Sequence, residues 1–219
     1  MAASVLGQTP ENLELTAVGR DPRWKIAGRT ASIIDAKGKR AVKVSEGQGM
    51  GVVWLEGYDF GNGVIEIDML ERCQPIQGSF VDVAFRVVDA QTLDAVYFRP
   101  FSFRAGGPAR HNHAVQYVSR PLWPWQKLHS NSPDQYKKAV VPEPGGDEWF
   151  HARIVVELPR VSVSVNGANA PCLVVNELSG PAHGSLGLWI GEGSEGCFAN
   201  LRVTRTLSAR PRPRTHLPY

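Results

Sequence analysis

The chain has 219 residues, of which 42% are hydrophobic and 21% charged, with a formal charge of +3. That is enough apolar material for one large core, and too small and too scattered a positive charge for a nucleic-acid footprint. Three cysteines, Cys73, Cys172 and Cys197, are too few and too widely spaced for a disulfide framework or a paired-spacing zinc site. No apolar run approaches the roughly 20 residues needed to span a bilayer, and MAASVLGQTPENLEL lacks a basic n-region followed by an apolar core. No membrane or nucleic-acid partner is expected, and the location expected from the chain is cytoplasmic.

Period-2 alternation bounded by Gly, Pro and Asn recurs along the chain, with no sustained 3.6-residue period, and predicts an all-β protein. The expected strands are Trp24–Ala27, Ser32–Asp35, Ala41–Val44, Gly51–Leu55, Gly63–Leu70, Phe80–Val88 and Ala95–Pro100. They continue with His113–Ser119, Trp149–Glu157, Arg160–Val165, Leu173–Val175, Leu186–Ile190 and Ala199–Thr204. So many short strands suit two packed antiparallel sheets in a jelly-roll sandwich of the concanavalin A type, a single domain over residues 1–206. ELPRVSVSVNG reads as a hairpin with Leu158-Pro159 at its tip and an Asn166-Gly167 turn at its end. Arg120 to Asp147 is the longest irregular segment, and long loops inside compact domains are disproportionately functional. The basic Pro/Arg tail over 207–219 cannot build a core and is expected to be flexible.

Alternation also sorts side chains by face. Ile65, Ile67 and Met69 share one phase, with Glu66 and Asp68 opposite; Val81, Val83, Phe85 and Val87 share another, with Asp82 and Arg86 opposite. Val96 and Phe98 go with the core and Tyr97 and Arg99 with the polar side, while Gln116 lies opposite His113, Val115 and Tyr117. If these four strands are neighbours, one sheet face displays Glu66, Asp68, Asp82, Arg86, Tyr97, Arg99 and Gln116. Carboxylates, guanidinium groups, an amide and a ring are the groups that hydrogen-bond sugar hydroxyls and stack on sugar faces. Cross-strand charge pairing on a solvated face is the competing explanation. Trp123 and Trp125 in PLWPW form either an aromatic wall beside this face or a hydrophobic clasp for the loop. His111-Asn112-His113, with His129 nearby, offers metal-ligand spacing, against which stands one packed and one solvated histidine. GEGSEG has dinucleotide-fingerprint spacing but leads into the strand-like CFANLRV, which leaves no helix N-terminus for a pyrophosphate.

Two resemblances add to this reading. EIDMLE, Glu66 to Glu71, resembles the E-x-D-x-x-E strand of the glycoside hydrolase family 16 laminarinases, although alternation puts Glu71 on the opposite face from Glu66 and Asp68 unless a β-bulge intervenes. More broadly, WLEGYDFGNGVIEIDM, VAFR, DAVYFRPFSFR, HAVQYVS, EWFHARIVV, GLWIG and GSEGCFANLRV resemble the bacterial 3-keto-disaccharide hydrolase domain family, within the concanavalin A-like lectin/glucanase superfamily, over roughly Trp54 to Thr204. The resemblance implies a curved sheet whose concave face binds a glycan or glycoside, with Arg86, Tyr97, Arg99, His113 and Gln116 at the matching positions. It implies hydrolysis or lyase cleavage of (3-keto-)glycosides, in some members with a divalent metal ion. A 3-keto sugar has an acidified hydrogen at C2, so elimination needs a base there, with Glu66, Asp68 or His113 as candidates, and an electrophile at the keto oxygen, Arg99 or a bound cation. The alternative is a non-catalytic lectin-like carbohydrate-binding module; a purely structural jelly roll comes third. Oligomeric state, sugar and linkage are not fixed by the sequence.

Overall fold

The computed structural model describes residues 9–71, 79–178 and 180–206, so Cys73 and the 207–219 tail lie outside the described residues. Fifteen strands are described. In chain order they are β1 (Glu11–Asn12), β2 (Trp24–Ala27), β3 (Ala31–Ala36), β4 (Lys39–Val44), β5 (Gly51–Leu55), β6 (Asn62–Glu71), β7 (Val81–Val87) and β8 (Leu93–Phe98). After these come β9 (Val115–Arg120), β10 (Lys137–Lys138), β11 (Phe150–Glu157), β12 (Arg160–Val165), β13 (Leu173–Asn176), β14 (Ser185–Ile190) and β15 (Gly196–Thr206). Every pairing is antiparallel. One sheet runs β13-β12-β11-β6-β15-β4-β3 with β1 on β15, and the other runs β10-β9-β8-β7-β14-β5-β2. No helix among the described residues is long and apolar enough to cross a membrane.

The core forms where the apolar phases of the two sheets meet. Ile65, Ile67 and Met69 of β6 face Val81, Val83, Phe85, Val96, Phe98, Val115 and Tyr117 of the other sheet, each at most 1% exposed. Phe98 of β8 meets Phe150 of β11 with ring centroids 5.2 Å apart, a contact that locks one sheet onto the other. The predicted hairpin is present: Glu157 pairs with Arg160, leaving Leu158-Pro159 as the tip. Asn166 and Gly167 both take positive φ, +50° and +71°, as a type I′ turn requires. Cys172 is half-buried and Cys197 buried.

Two features were not anticipated. The segment after Arg120 contains a helix, α2 (Trp125–Asn131), behind a short turn of helix, α1 (Pro108–His111), that precedes β9. Pro124 stands at the N-cap of α2, and the helix seats Leu128 in the core at 1% exposure. The second feature is a bulge: Ser185 pairs with Val87 but Gly187 with Ala84, so Phe85 and Arg86 together oppose the single residue Leu186. Arg86 carries the irregularity with φ +51°.

Candidate binding cleft

One row of cross-strand neighbours crosses the outer face of the seven-stranded sheet: Val52, Trp189, Asp82, Tyr97, Gln116 and Lys137. They occupy the phase opposite Val81, Val83 and Phe98, as alternation requires. Above the row, where β5, β7 and β9 begin and β8 and β14 end, the connecting segments enclose a cleft of about 670 Å³. Its walls are Met50, Phe80, Arg99, Phe101, Ser102, Ala109, Arg110, His113, Trp125, Gln126 and Glu192. The cleft is therefore built by loops seated on a rigid sheet, the usual place for binding groups.

A continuous polar network backs one wall. The hydroxyl of Tyr97 donates to Oε1 of Gln116 at 2.5 Å, and Nη2 of Arg99 lies 3.4 Å from that hydroxyl. Nη1 of Arg99 is 3.3 Å from Nδ1 of His113, and Nζ of Lys137 is 2.8 Å from Nε2 of His113 and 3.2 Å from Nδ1 of His129. The Arg99 guanidinium also stands over the rings of Tyr97, at 5.2 Å, and Trp125, at 6.0 Å. Burial, reinforced by Lys137, Arg99 and His129, holds His113 below the ordinary histidine pKa, so it is neutral near pH 7. Burial likewise drives the Asp82 carboxyl well above the usual range, with Arg99 only partly opposing it. Tyr97 is pushed above the normal phenol value by burial and donates as a neutral hydroxyl.

No protein-family model matches the chain, and no curated protein sequence does. Solved structures do match. A Bacillus subtilis protein of unknown function with a galectin-like fold is 13% identical at a TM-score of 0.58, the alignment covering 91% of this chain and 96% of that one. The exoplasmic/lumenal domain of VIP36, in its Ca2+- and Man3GlcNAc-bound form, is 10% identical at a TM-score of 0.59, covering 94% and 95%. The carbohydrate-binding module CBM66 from Bacillus subtilis is 12% identical at 0.52, covering 80% and 94%. The fold is a galectin-like two-sheet β-sandwich. At these identities the likeness establishes architecture alone: it agrees with the two-sheet sandwich expected from the sequence and does not show the 3-keto-disaccharide hydrolase family.

On this galectin-like sandwich the candidate residues divide into four groups. Tyr97, Arg99, Gln116, His113 and Trp125 converge on the cleft or its floor. His113 does so from the turn before β9, because the strand starts at Val115 and not at His113. Glu66 and Asp68 do not join them: β6 pairs with β11 and β15, which places both carboxylates on the outer face of the eight-stranded sheet. There Glu66 accepts from Arg202 at 2.8 Å, and Asp68 is bonded by Lys39, His151 and Asn200 at 2.7, 2.8 and 2.6 Å. Burial alone would raise Asp68, but those bonds outweigh it and hold the carboxyl far below the usual range. Glu71, in the phase of Ile65 and Met69, is buried at 1% exposure, so the laminarinase-like strand does not assemble three carboxylates on one face.

Arg86 is the second correction. The bulge rotates it out of the polar phase, and its fully buried guanidinium bonds the Gly61 carbonyl at 3.0 Å, Glu177 at 2.6 Å and Asp94 at 3.4 Å. Asp94, pushed up to about 6 by burial, and Glu177 make this an ion-pair cluster spanning the ends of both sheets, apart from the cleft-lining residues. Trp123 is the third: it bridges Ser119, packs half-buried against the core and carries Lys127 Nζ 4.0 Å above its ring, so it is the clasp, while Trp125 is the wall. The histidines do not converge either, since His111 pairs with Glu143 and a lysine stands between His113 and His129. Among the described residues no group of three or more His, Cys, Asp or Glu is placed to hold a metal ion. Phe80, Phe101, Arg110 and Lys137 were missed by alternation, because all but Lys137 sit on connecting segments and Lys137 sits on a strand of two residues.

Proposed function

We propose that this protein binds a saccharide in the cleft over the seven-stranded sheet. The observation that carries the reading is the pairing, in one cleft of about 670 Å³, of a 38%-exposed Trp125 ring with the Arg99 fork. An exposed indole offers a flat apolar face to a pyranose ring, and the guanidinium presents several N–H donors to hydroxyl oxygens. The VIP36 domain, bound to Man3GlcNAc, and CBM66, a carbohydrate-binding module, share the architecture. The test is saturable binding of the protein to an oligosaccharide panel, lost on Trp125→Ala; a folded protein that binds no member overturns it.

A second reading, cleavage of 3-keto-glycosides, rests on His113 Nδ1 and Arg99 Nη1 lying 3.3 Å apart, a base beside an electrophile. In it, the His113 tautomer with its lone pair on Nδ1, the opposite of the one that accepts from Lys137 at Nε2, removes the C2 proton. Arg99 polarises the keto oxygen while the C1–O bond breaks and the aglycone leaves. Glu66 and Asp68 take no part, being on the other sheet. A divalent metal, as in the Ca2+-bound VIP36 domain, does not fit beside Arg99 and Lys137, and no step is assigned to one. Incubation with glucosides and their 3-keto forms distinguishes the two: released product supports cleavage, and binding without product supports the lectin-like reading.

A further inference from the structure

The wall of the cleft formed by β8, β9 and β10 contains more cations than it can neutralise. Lys137 is 95% buried, since its exposure is 5%, and its ammonium faces two imidazoles and a single carboxylate, Asp134, 3.3 Å away and 65% exposed. A buried charge is costly unless paired, and a pair to a solvent-exposed carboxylate returns little. Among the described residues Arg99 also has no carboxylate at ion-pair distance; its guanidinium contacts there are Tyr97, His113 and aromatic rings. Asp82, the buried acid on the row, is drawn toward its ionised form by Arg99, but burial outweighs that attraction and pushes the carboxyl toward the neutral form.

The hydrogen-bond count sharpens this. A neutral imidazole has one lone pair, whereas Arg99 and Lys137 bring only donors. The 2.8 Å contact gives that lone pair to Lys137 at Nε2, which places the imidazole proton on Nδ1, pointing at the Arg99 Nη1 3.3 Å away. Two N–H donors then converge at the cleft wall with no acceptor between them. Arg110 adds a second guanidinium to the lining. Among the described lining residues the one carboxylate, Glu192, follows β14, across β7 from Arg99, and lies on the side of Arg29.

We propose that the saccharide taken by this cleft is acidic, carrying a carboxylate or sulfate that accepts from Arg99 and His113 while the sugar ring lies against Trp125. The inference rests on the saccharide-binding reading and narrows it. A charge-assisted bond from a guanidinium to an anion is roughly twice as strong as a neutral one, and the Lys137 ammonium behind His113 adds to the attraction.

The experiment compares affinities of the full chain for matched pairs: uronate oligosaccharides against their methyl esters, and sulfated galactan oligosaccharides against their desulfated forms, beside a neutral panel. The expected result is at least tenfold tighter binding of the acid member of one pair at 50 mM salt, with the ratio shrinking at 500 mM. Whichever pair shows it identifies the anion. Lys137→Met should shrink the same ratio while leaving the melting temperature unchanged or higher, because it removes a poorly compensated buried cation. Arg99→Gln, at a more exposed position, supplies the same comparison should Lys137→Met fail to fold. Equal or tighter binding of the uncharged members overturns the acidic assignment and leaves saccharide binding standing. Absence of saturable binding to any panel member overturns both.

Discussion

Nη1 of Arg86 lies 2.6 Å from Oε2 of the quarter-exposed Glu177 and 3.4 Å from the fully buried Asp94, at the ends of the sheets and apart from the cleft-lining residues. Breaking a buried pair from one side leaves the partner charge uncompensated. Arg86→Met is therefore expected to cost about 3–5 kcal/mol in urea unfolding, while the folded fraction keeps its ligand affinity. Loss of affinity at unchanged stability would return Arg86 to the binding site.

Trp125 and Trp123 should separate cleanly under substitution. Trp125→Ala is expected to abolish saccharide binding with a small change in melting temperature. Trp123→Ala should leave binding near normal and cost about 2 kcal/mol, less than the 3–5 of a fully buried indole, because Trp123 is only half-buried. Calorimetry and a binding titration on the two variants check both halves.

Arg99→Lys keeps the charge and loses the planar fork that reaches Tyr97 and His113 together. A tenfold or greater loss of affinity is expected, about 1.4 kcal/mol, with unchanged circular dichroism.

The outer face of the eight-stranded sheet sets a pH optimum of stability. Asp68, held low, contributes stability that is present above its unfolded pKa of about 3.9 and is lost as the pH falls. His151, raised chiefly by its bond to Asp68, contributes stability that is complete below about 6.5 and is lost as the pH climbs through its folded value. The pair should support the fold best between about pH 4 and 6.5. Asp68→Asn should flatten both limbs of a stability-versus-pH curve, and an unchanged curve would refute the linkage.

Side-chain phase within each strand was legible because the period of two is set by the backbone alone: Ile65, Val83 and Phe98 point inward and Tyr97 and Gln116 outward, as read. Which sheet a strand joins was not legible, since alternation is identical in either. Consequently Glu66 and Asp68 shared a predicted face with Tyr97 yet lie across the core from it. Arg86 escaped for a different reason. Its bulge falls at Phe85-Arg86 with no glycine to mark it, and a single extra residue reverses the phase of the residues beyond it. The cleft wall was half-legible: YFRPF and the tryptophan loop flagged Arg99 and Trp125, whereas Lys137 joins them only through pairing with Gln116.

The position of β15 also governs how the chain can be made. The last described strand lies between β4 and β6 and carries β1 on the same sheet, so the eight-stranded sheet is three unconnected pieces, β13-β12-β11-β6, β4-β3 and β1, until residues 196–206 arrive. A ribosome emitting this chain from its N-terminus releases β6 with one long edge unpaired and the apolar face behind it only partly covered. Such edges invite pairing with other chains. Closure must wait for contacts between segments more than a hundred residues apart, which places folding toward the slow, millisecond-to-second regime of β-sandwiches. Truncation ahead of Gly196 is thus expected to yield insoluble protein, although the cleft-lining residues Arg99, His113 and Trp125 all precede that point.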